Sequence, residues 1–100
     1  MSIKSALALS ARDNVAVALQ HIDSGDEVSI EVKGGDAKSI QAIEEIPFGF
    51  KMALTPISAG SDVIKYGECM GRAKSDIERG MKVHVHNVEG VRARKEGGSG

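Results

Sequence analysis

Four copies of one short unit, I-x-x-G, recur along the chain: Ile22-Asp23-Ser24-Gly25, Ile46-Pro47-Phe48-Gly49, Ile57-Ser58-Ala59-Gly60 and Ile77-Glu78-Arg79-Gly80. Three residues after each glycine stands an apolar residue, Val28, Met52, Val63 or Val83. The physical reading is an isoleucine buried at the end of one segment, a glycine free to take positive φ in the turn, and a strand whose first inward residue follows three positions later. The isoleucines lie 24, 11 and 20 positions apart, which excludes a solenoid period. One turn solution used four times in 100 residues describes a compact, bent all-β structure.

The pieces between the turns alternate as strands do. Val15, Val17 and Leu19 share one face of a first strand, and Val28, Ile30 and Val32 one face of a second. Lys33-Gly34-Gly35-Asp36 reads as the hairpin turn that leads to a third strand beginning at Ile40 and Ala42. Later strands are predicted at Lys51 to Leu54, Asp62 to Tyr66, Glu68 to Ala73 and Met81 to His86. Over Asp13 to His21 a short helix capped by Asp13 or Asn14 competes with the strand, and alternation favours the strand. Residues 1–11 read as a lead-in, 12–90 as a single folded domain, and 91–100, ending Gly97-Gly98-Ser99-Gly100, as a flexible tail.

Composition narrows the function classes. Three aromatics, Phe48, Phe50 and Tyr66, and no tryptophan leave the core to small aliphatic residues and offer no platform on which single-stranded bases stack. Thirteen basic against fourteen acidic residues give a net charge of −1, with no basic stripe to displace phosphate counterions, so nucleic acid is excluded as partner. No apolar run approaches the roughly 20 residues of a membrane span, and the single Cys69 forms no internal disulfide. Cys69, on a strand beside Met70, reads as a small buried hydrophobe. With no signal-peptide pattern at the start, a cytoplasmic location is the expectation. A core this thin points to a small module that leans on a partner, and exposed edge strands leave self-association open.

Three constellations could carry chemistry. His84 and His86, spaced H-x-H on a strand, would present both imidazoles on one face about 6.5–7 Å apart, suiting two ligands of one metal ion or two donors to one anionic substrate. Asn87 adds an amide directly after them, while the competing reading is two polar residues on the solvent face of an edge strand. No third ligand lies close in sequence. Lys65-Tyr66-Gly67 sets a cation that suits a carboxylate beside the sole tyrosine, with a glycine that lets the backbone approach a ligand, though a plain strand end reads the same. Asp13-Asn14 is a carboxylate and an amide before the first strand, a turn or cap as readily as a site.

Taken together, Asp13 to Leu19, Ile46 to Leu54, Val63 to Glu68, Gly71-Arg72-Ala73, Asp76-Ile77 and Val83-His84-Val85-His86-Asn87 resemble the SAF domain of the altronate dehydratases. That wider group also holds galactarate dehydratase and sulfolactate sulfo-lyase. The resemblance implies a β-clip fold. It implies metal-assisted loss of water from a sugar acid, in which a base takes the proton α to the carboxylate and the β-hydroxyl leaves. It implies further that most of this work belongs to a larger catalytic part, with this chain as a separate small subunit that is inactive or nearly so alone. The divalent metal, iron or manganese, would be held mainly by that large subunit, with His84 and His86 as candidate contributors. Asp13, Asn14, Lys51, Lys65, Tyr66, Gly67 and Asn87 are the candidates for binding the acid or lining a shared site. One departure stands out: relatives usually read G-H-K where this chain has Gly49-Phe50-Lys51, so no metal or proton-transfer role attaches to Phe50. Two other readings remain, the small subunit of a sulfolactate sulfo-lyase, from which sulfite leaves, and a non-catalytic ligand-binding SAF module.

Overall fold

A computed structural model describes residues 3–84 and 87–90 of the chain. They form nine strands and no helix: β1 (Ile3–Ala8), β2 (Val15–Ala18), β3 (Glu27–Val32), β4 (Lys38–Gln41), β5 (Lys51–Ala53), β6 (Asp62–Lys65), β7 (Glu68–Ala73), β8 (Lys82–Val83) and β9 (Val88–Gly90). Six strands make one sheet in the order β4-β3-β1-β2-β5-β8, and three make a second in the order β6-β7-β9. β1 runs parallel to β3, and every other pairing is antiparallel. The all-β expectation holds, and β2 settles the competition between helix and strand. The stretch read as a lead-in contains β1, which sits inside the larger sheet. Its Ala6 and Leu7 pair with Ala18 and Val17 of β2, a long-range contact that no local pattern announces.

Strand alternation gives each face of the larger sheet a core of its own. On one face Ala6, Ala8, Ala16, Ala18, Val28, Ile30 and Met52 are buried together with Ile22 and Ile46. Four of these are alanines on the neighbouring strands β1 and β2, and side chains this small let the concave face curl tightly. The opposite face is covered only in part. Val15, Ala53 and Val83 pack there against Val63 and Ala73 of the smaller sheet and against Ile57 and Ile77. Beyond that second core the same face carries half-buried Val17 and, at its margin, Lys51. Val15 and Val17 thus share a face of β2 as predicted, but the strand ends at Ala18, before the exposed Leu19, and the cover ends part way along that face.

The four turns occur in two equivalent pairs. Ile22 and Ile46 bridge each other through reciprocal N–H to carbonyl bonds of 2.9 and 2.8 Å, and Ile57 and Ile77 do the same at 2.8 Å each. Around the first bridge the Gly25 N–H donates to Ala42 O, the Gly49 N–H to Ala18 O and the Ala18 N–H to Phe50 O. Around the second, the Gly60 N–H donates to Ala73 O, the Gly80 N–H to Ala53 O and the Ala53 N–H to Met81 O. The same bonds recur on corresponding residues, so the fold is an internal duplication, with the β3–β4 hairpin answering the β6–β7 hairpin. All four isoleucines are at most 3% exposed, the residue three after each glycine is fully buried, and Gly25, Gly49, Gly60 and Gly80 all take positive φ. No described helix is long and apolar enough to cross a membrane.

Candidate functional site

Lys51 opens β5 on the face where the second core ends. β8 pairs with β5 through Lys51 and Val83, so His84, which follows Val83, arrives beside the lysine. The smaller sheet brings Met70 of β7 with Val88 and Gly90 of β9. These five residues, Lys51, Met70, His84, Val88 and Gly90, line a cleft of about 210 Å³ between the sheets. Its walls are mostly aliphatic, so the charges at its mouth act in a poorly solvated setting.

Lys51 brings the positive charge to this cleft. Burial pushes the Lys51 ammonium below the ordinary lysine range, and the positive charge of Lys65 pushes it further the same way. Among the described residues Lys51 makes no ion pair. Lys65 lies with its Nζ 4.5 Å from the centre of the Tyr66 ring, a cation–π contact. On the other side Phe50 stacks on His84, ring centres 4.5 Å apart and tilted by 40°, and Lys82 Nζ stands 5.6 Å from the Phe50 ring. An ammonium group that is partly desolvated and repelled by a second positive charge is ready to take up an anion, which relieves both penalties at once.

Several sequence candidates hold this arrangement in place through hydrogen bonds. The strand predicted over Met81 to His86 ends at Val83, and His84 lies in a bend. Asn87, 4% exposed, holds His84 and Lys82 together. Its Oδ1 accepts the His84 N–H at 2.9 Å and its Nδ2 donates to Lys82 O at 2.8 Å. Asn14 connects the sheets, with Nδ2 donating to Asp62 O at 3.0 Å and Oδ1 accepting the Ile64 N–H at 2.7 Å. Asp13 Oδ1 accepts the Gly67 N–H at 2.7 Å. Tyr66 precedes it with φ of 57°, which costs an L-residue about 1 kcal/mol or more. His86 lies outside the described residues. Cys69, read as buried, is exposed instead, with its Sγ 3.3 Å from Gly71 O: β7 meets the β6 register shift between Val63 and Ile64, and its first residues stand clear of the core.

For a metal, the described part of the cleft offers one donor side chain, His84, which does not hold a divalent ion alone. Among the described residues, three donors of this kind meet elsewhere, at the first turn pair. There His21 Nε2 lies 3.0 Å from both Asp23 Oδ1 and Glu45 Oε2. The Ile22–Ile46 bridge dictates that meeting, because residues flanking an inward isoleucine point out. All three side chains are exposed, and none lines the cleft. The sequence reading missed Met70, Val88 and Gly90 as lining, and Lys82 as the partner of Phe50. Lys82 had a signal in the duplication, where it occupies the position that Lys51 holds in the first unit.

Comparison with known proteins places this geometry. The family of altronate/galactarate dehydratase SAF domains matches residues 4–91. Altronate dehydratase of Escherichia coli (strain K12) is 42% identical over 80 residues, which are 80% of this chain and 15% of that protein. The (2R)-sulfolactate sulfo-lyase subunit alpha of Paracoccus pantotrophus is 44% identical over 50 residues, half of this chain and 75% of that subunit. Galactarate dehydratase (L-threo-forming) of Escherichia coli (strain K12) is 38% identical over 68 residues, 68% of this chain and 12% of that enzyme. The chain therefore spans about 15% of the altronate dehydratases it matches. With a family match over nearly its whole described length, the chain belongs to the altronate/galactarate dehydratase SAF domain family.

Proposed function

We propose that the chain is the small SAF subunit of an altronate-dehydratase-like lyase, removing water from an aldonate together with a separate large catalytic subunit. The observation that carries this reading is Lys51, half-buried in a mostly apolar cleft, without an ion pair among the described residues, and repelled by the charge of Lys65. A sugar-acid carboxylate supplies the missing negative charge. With its carboxylate held there, loss of the α-proton to a base forms an enediolate, whose added negative charge the Lys51 ammonium stabilises. The electron pair then expels the β-hydroxyl, which takes a proton and leaves as water, and the enol product becomes a 2-keto-3-deoxy acid. A divalent iron or manganese ion, held by the large subunit, would supply Lewis-acid stabilisation of that enediolate. This chain's part is to bind and orient the acid and to keep water from its carboxylate end.

The test is co-expression with a large dehydratase subunit and assay of keto-acid formation from altronate. Activity that needs both chains, with the KM raised at least tenfold by Lys51→Met, supports the reading. Full activity of the large subunit alone, or of the Lys51→Met assembly, refutes it. A second reading has its own support, since the sulfo-lyase relative is itself a subunit of which this chain spans 75%. Release of sulfite from sulfolactate, with no water loss from altronate, would establish that reading instead.

A further inference from the structure

All positive-φ residues described are glycines except one. Six glycines take φ between 78° and 93°, and Tyr66 stands at 57°. Tyr66 and Gly67 are the two central residues of the turn that joins β6 to β7, with Lys65 and Glu68 paired across it. Such turns favour asparagine before glycine, since both residues must take positive φ. The answering hairpin of the first unit, β3–β4, puts Gly34, with φ of 80°, at its tip. The first unit thus closes its hairpin with a longer loop through a glycine, whereas the second closes it in two residues and carries a bulky aromatic in a strained conformation. Strain of this kind persists only where the surroundings impose it.

Asp13 imposes it. Its Oδ1 accepts the Gly67 N–H from 54 positions away in the chain, and its own N–H donates to Ser10 O at 3.1 Å. Asp13 is 8% exposed, and its Oδ2 is buried with no hydrogen-bond partner. One neutral acceptor would serve the turn, and the second oxygen has no use within the fold. Tyr66 itself is 51% exposed, with Lys65 over its ring, so the clamp holds a surface aromatic that contributes little to either core. From this arrangement we infer that Asp13 is a positioning residue, which locks the Tyr66–Gly67 turn so that the phenol hydroxyl and Lys65 are presented together to a hydroxy-acid ligand. The inference rests on the proposed function for the identity of that ligand, and on the geometry alone for the clamp.

The chain has one tyrosine and no tryptophan, so its near-ultraviolet circular dichroism near 280 nm and its tyrosine fluorescence anisotropy are dominated by Tyr66. Both should be strong in the wild type and in Asp13→Asn, which keeps the acceptor, and should collapse in Asp13→Ala. Tyr66→Asn should raise the melting temperature by relieving the strain, while raising the KM for altronate at least tenfold in the assembly with the large subunit. In that assembly Asp13→Ala should match Tyr66→Asn in KM, and Asp13→Asn should stay within about threefold of wild type. If Asp13→Ala does not fold, Asp13→Asn and Tyr66→Asn carry the test. An unchanged tyrosine signal in folded Asp13→Ala, or a lower melting temperature in Tyr66→Asn, overturns the clamp. An Asp13→Asn variant with an intact tyrosine signal but a KM raised tenfold overturns positioning, because the charge itself would then be acting. An assembly inactive on altronate with the spectroscopic and melting results as stated refutes the ligand and leaves the clamp standing.

Discussion

Asn14 takes hold of Ile64 across 50 residues of sequence: its Oδ1 accepts the Ile64 N–H at 2.7 Å while its Nδ2 donates to Asp62 O at 3.0 Å. One side chain thereby satisfies two backbone groups of β6 and fixes the smaller sheet against the larger. Asn14→Ala should lower unfolding stability by about 1–3 kcal/mol, the cost of leaving such partners unpaired. Asn14→Asp, which keeps the acceptor alone, should fall between that variant and wild type. Urea unfolding followed by far-ultraviolet circular dichroism reads both, and an Asn14→Ala midpoint equal to wild type would contradict the clasp.

Gly80 and Gly25 have the same turn geometry in the two units, with φ of 92° and 93°, but different surroundings. A Cβ at Gly25 meets open space, whereas at Gly80 it would overlap the carbonyl oxygen of Gln41. Gly25→Ala should therefore cost only the left-handed backbone penalty, about 1–2 kcal/mol. Gly80→Ala should cost about 2 kcal/mol more, because the obstacle is backbone and cannot swing aside. Equal losses in a side-by-side denaturation would show that the contact relaxes freely.

Lys51 should be a liability to the isolated chain. Its proton affinity is lowered in the fold by burial and by Lys65, so the folded chain gives up that proton at lower pH than the unfolded chain does. This part of the stability therefore rises with pH as the solution nears the ordinary lysine value of about 10.4. Lys51→Met should stabilise the chain at pH 7 by a few tenths of a kcal/mol to about 1 kcal/mol, a modest figure because water screens much of the group. Its advantage over wild type should shrink toward pH 10. An advantage that grows with pH would contradict the sign.

The ion pair between Lys4 and Asp26 works in the opposite sense. Their side chains meet at 2.8 Å and are only 16% and 19% exposed, tying β1 to the first turn. The hydrogen bond to Lys4, with a second from the Asp23 N–H, lowers the Asp26 carboxyl, and the bond to Asp26 raises the Lys4 ammonium. Stability from the lowered carboxyl is present above its unfolded value of about 3.9 and fades as pH falls through the folded value. Stability from the raised ammonium is present below about 10.4 and fades as pH climbs past it. The gap in urea midpoint between wild type and Asp26→Asn should thus be widest near neutrality and close on acidification below about pH 4.

Glycine-punctuated alternation made the strands legible, because burial and turn geometry act there over three or four residues. The four isoleucines and the apolar residues after their glycines all fell into the cores. β1 was not legible, since what makes Ile3 to Ala8 a sheet strand is pairing with β2 and β3 on both sides. Lys65, and Lys51 at the cleft, came from charge type and from the family resemblance. Met70, Val88 and Gly90 are ordinary strand residues, brought to the cleft only by the packing of two sheets. Asn14 and Asn87 were visible as polar residues in telling places, but their hydrogen bonds to backbone depend on tertiary approach.

The paired turns have a consequence for how the molecule comes apart. In the second unit Ala53 of β5 takes the place that Ala18 of β2 holds in the first, and β5 pairs with β2 itself. The first unit's last strand is the second unit's opening strand, so neither unit closes its core alone. Unfolding should then run as a single cooperative transition. A backbone cut at the Gly34–Gly35 tip, remote from the shared strand, should leave two fragments able to rejoin, while a cut between Phe50 and Ala53 should abolish both cores together.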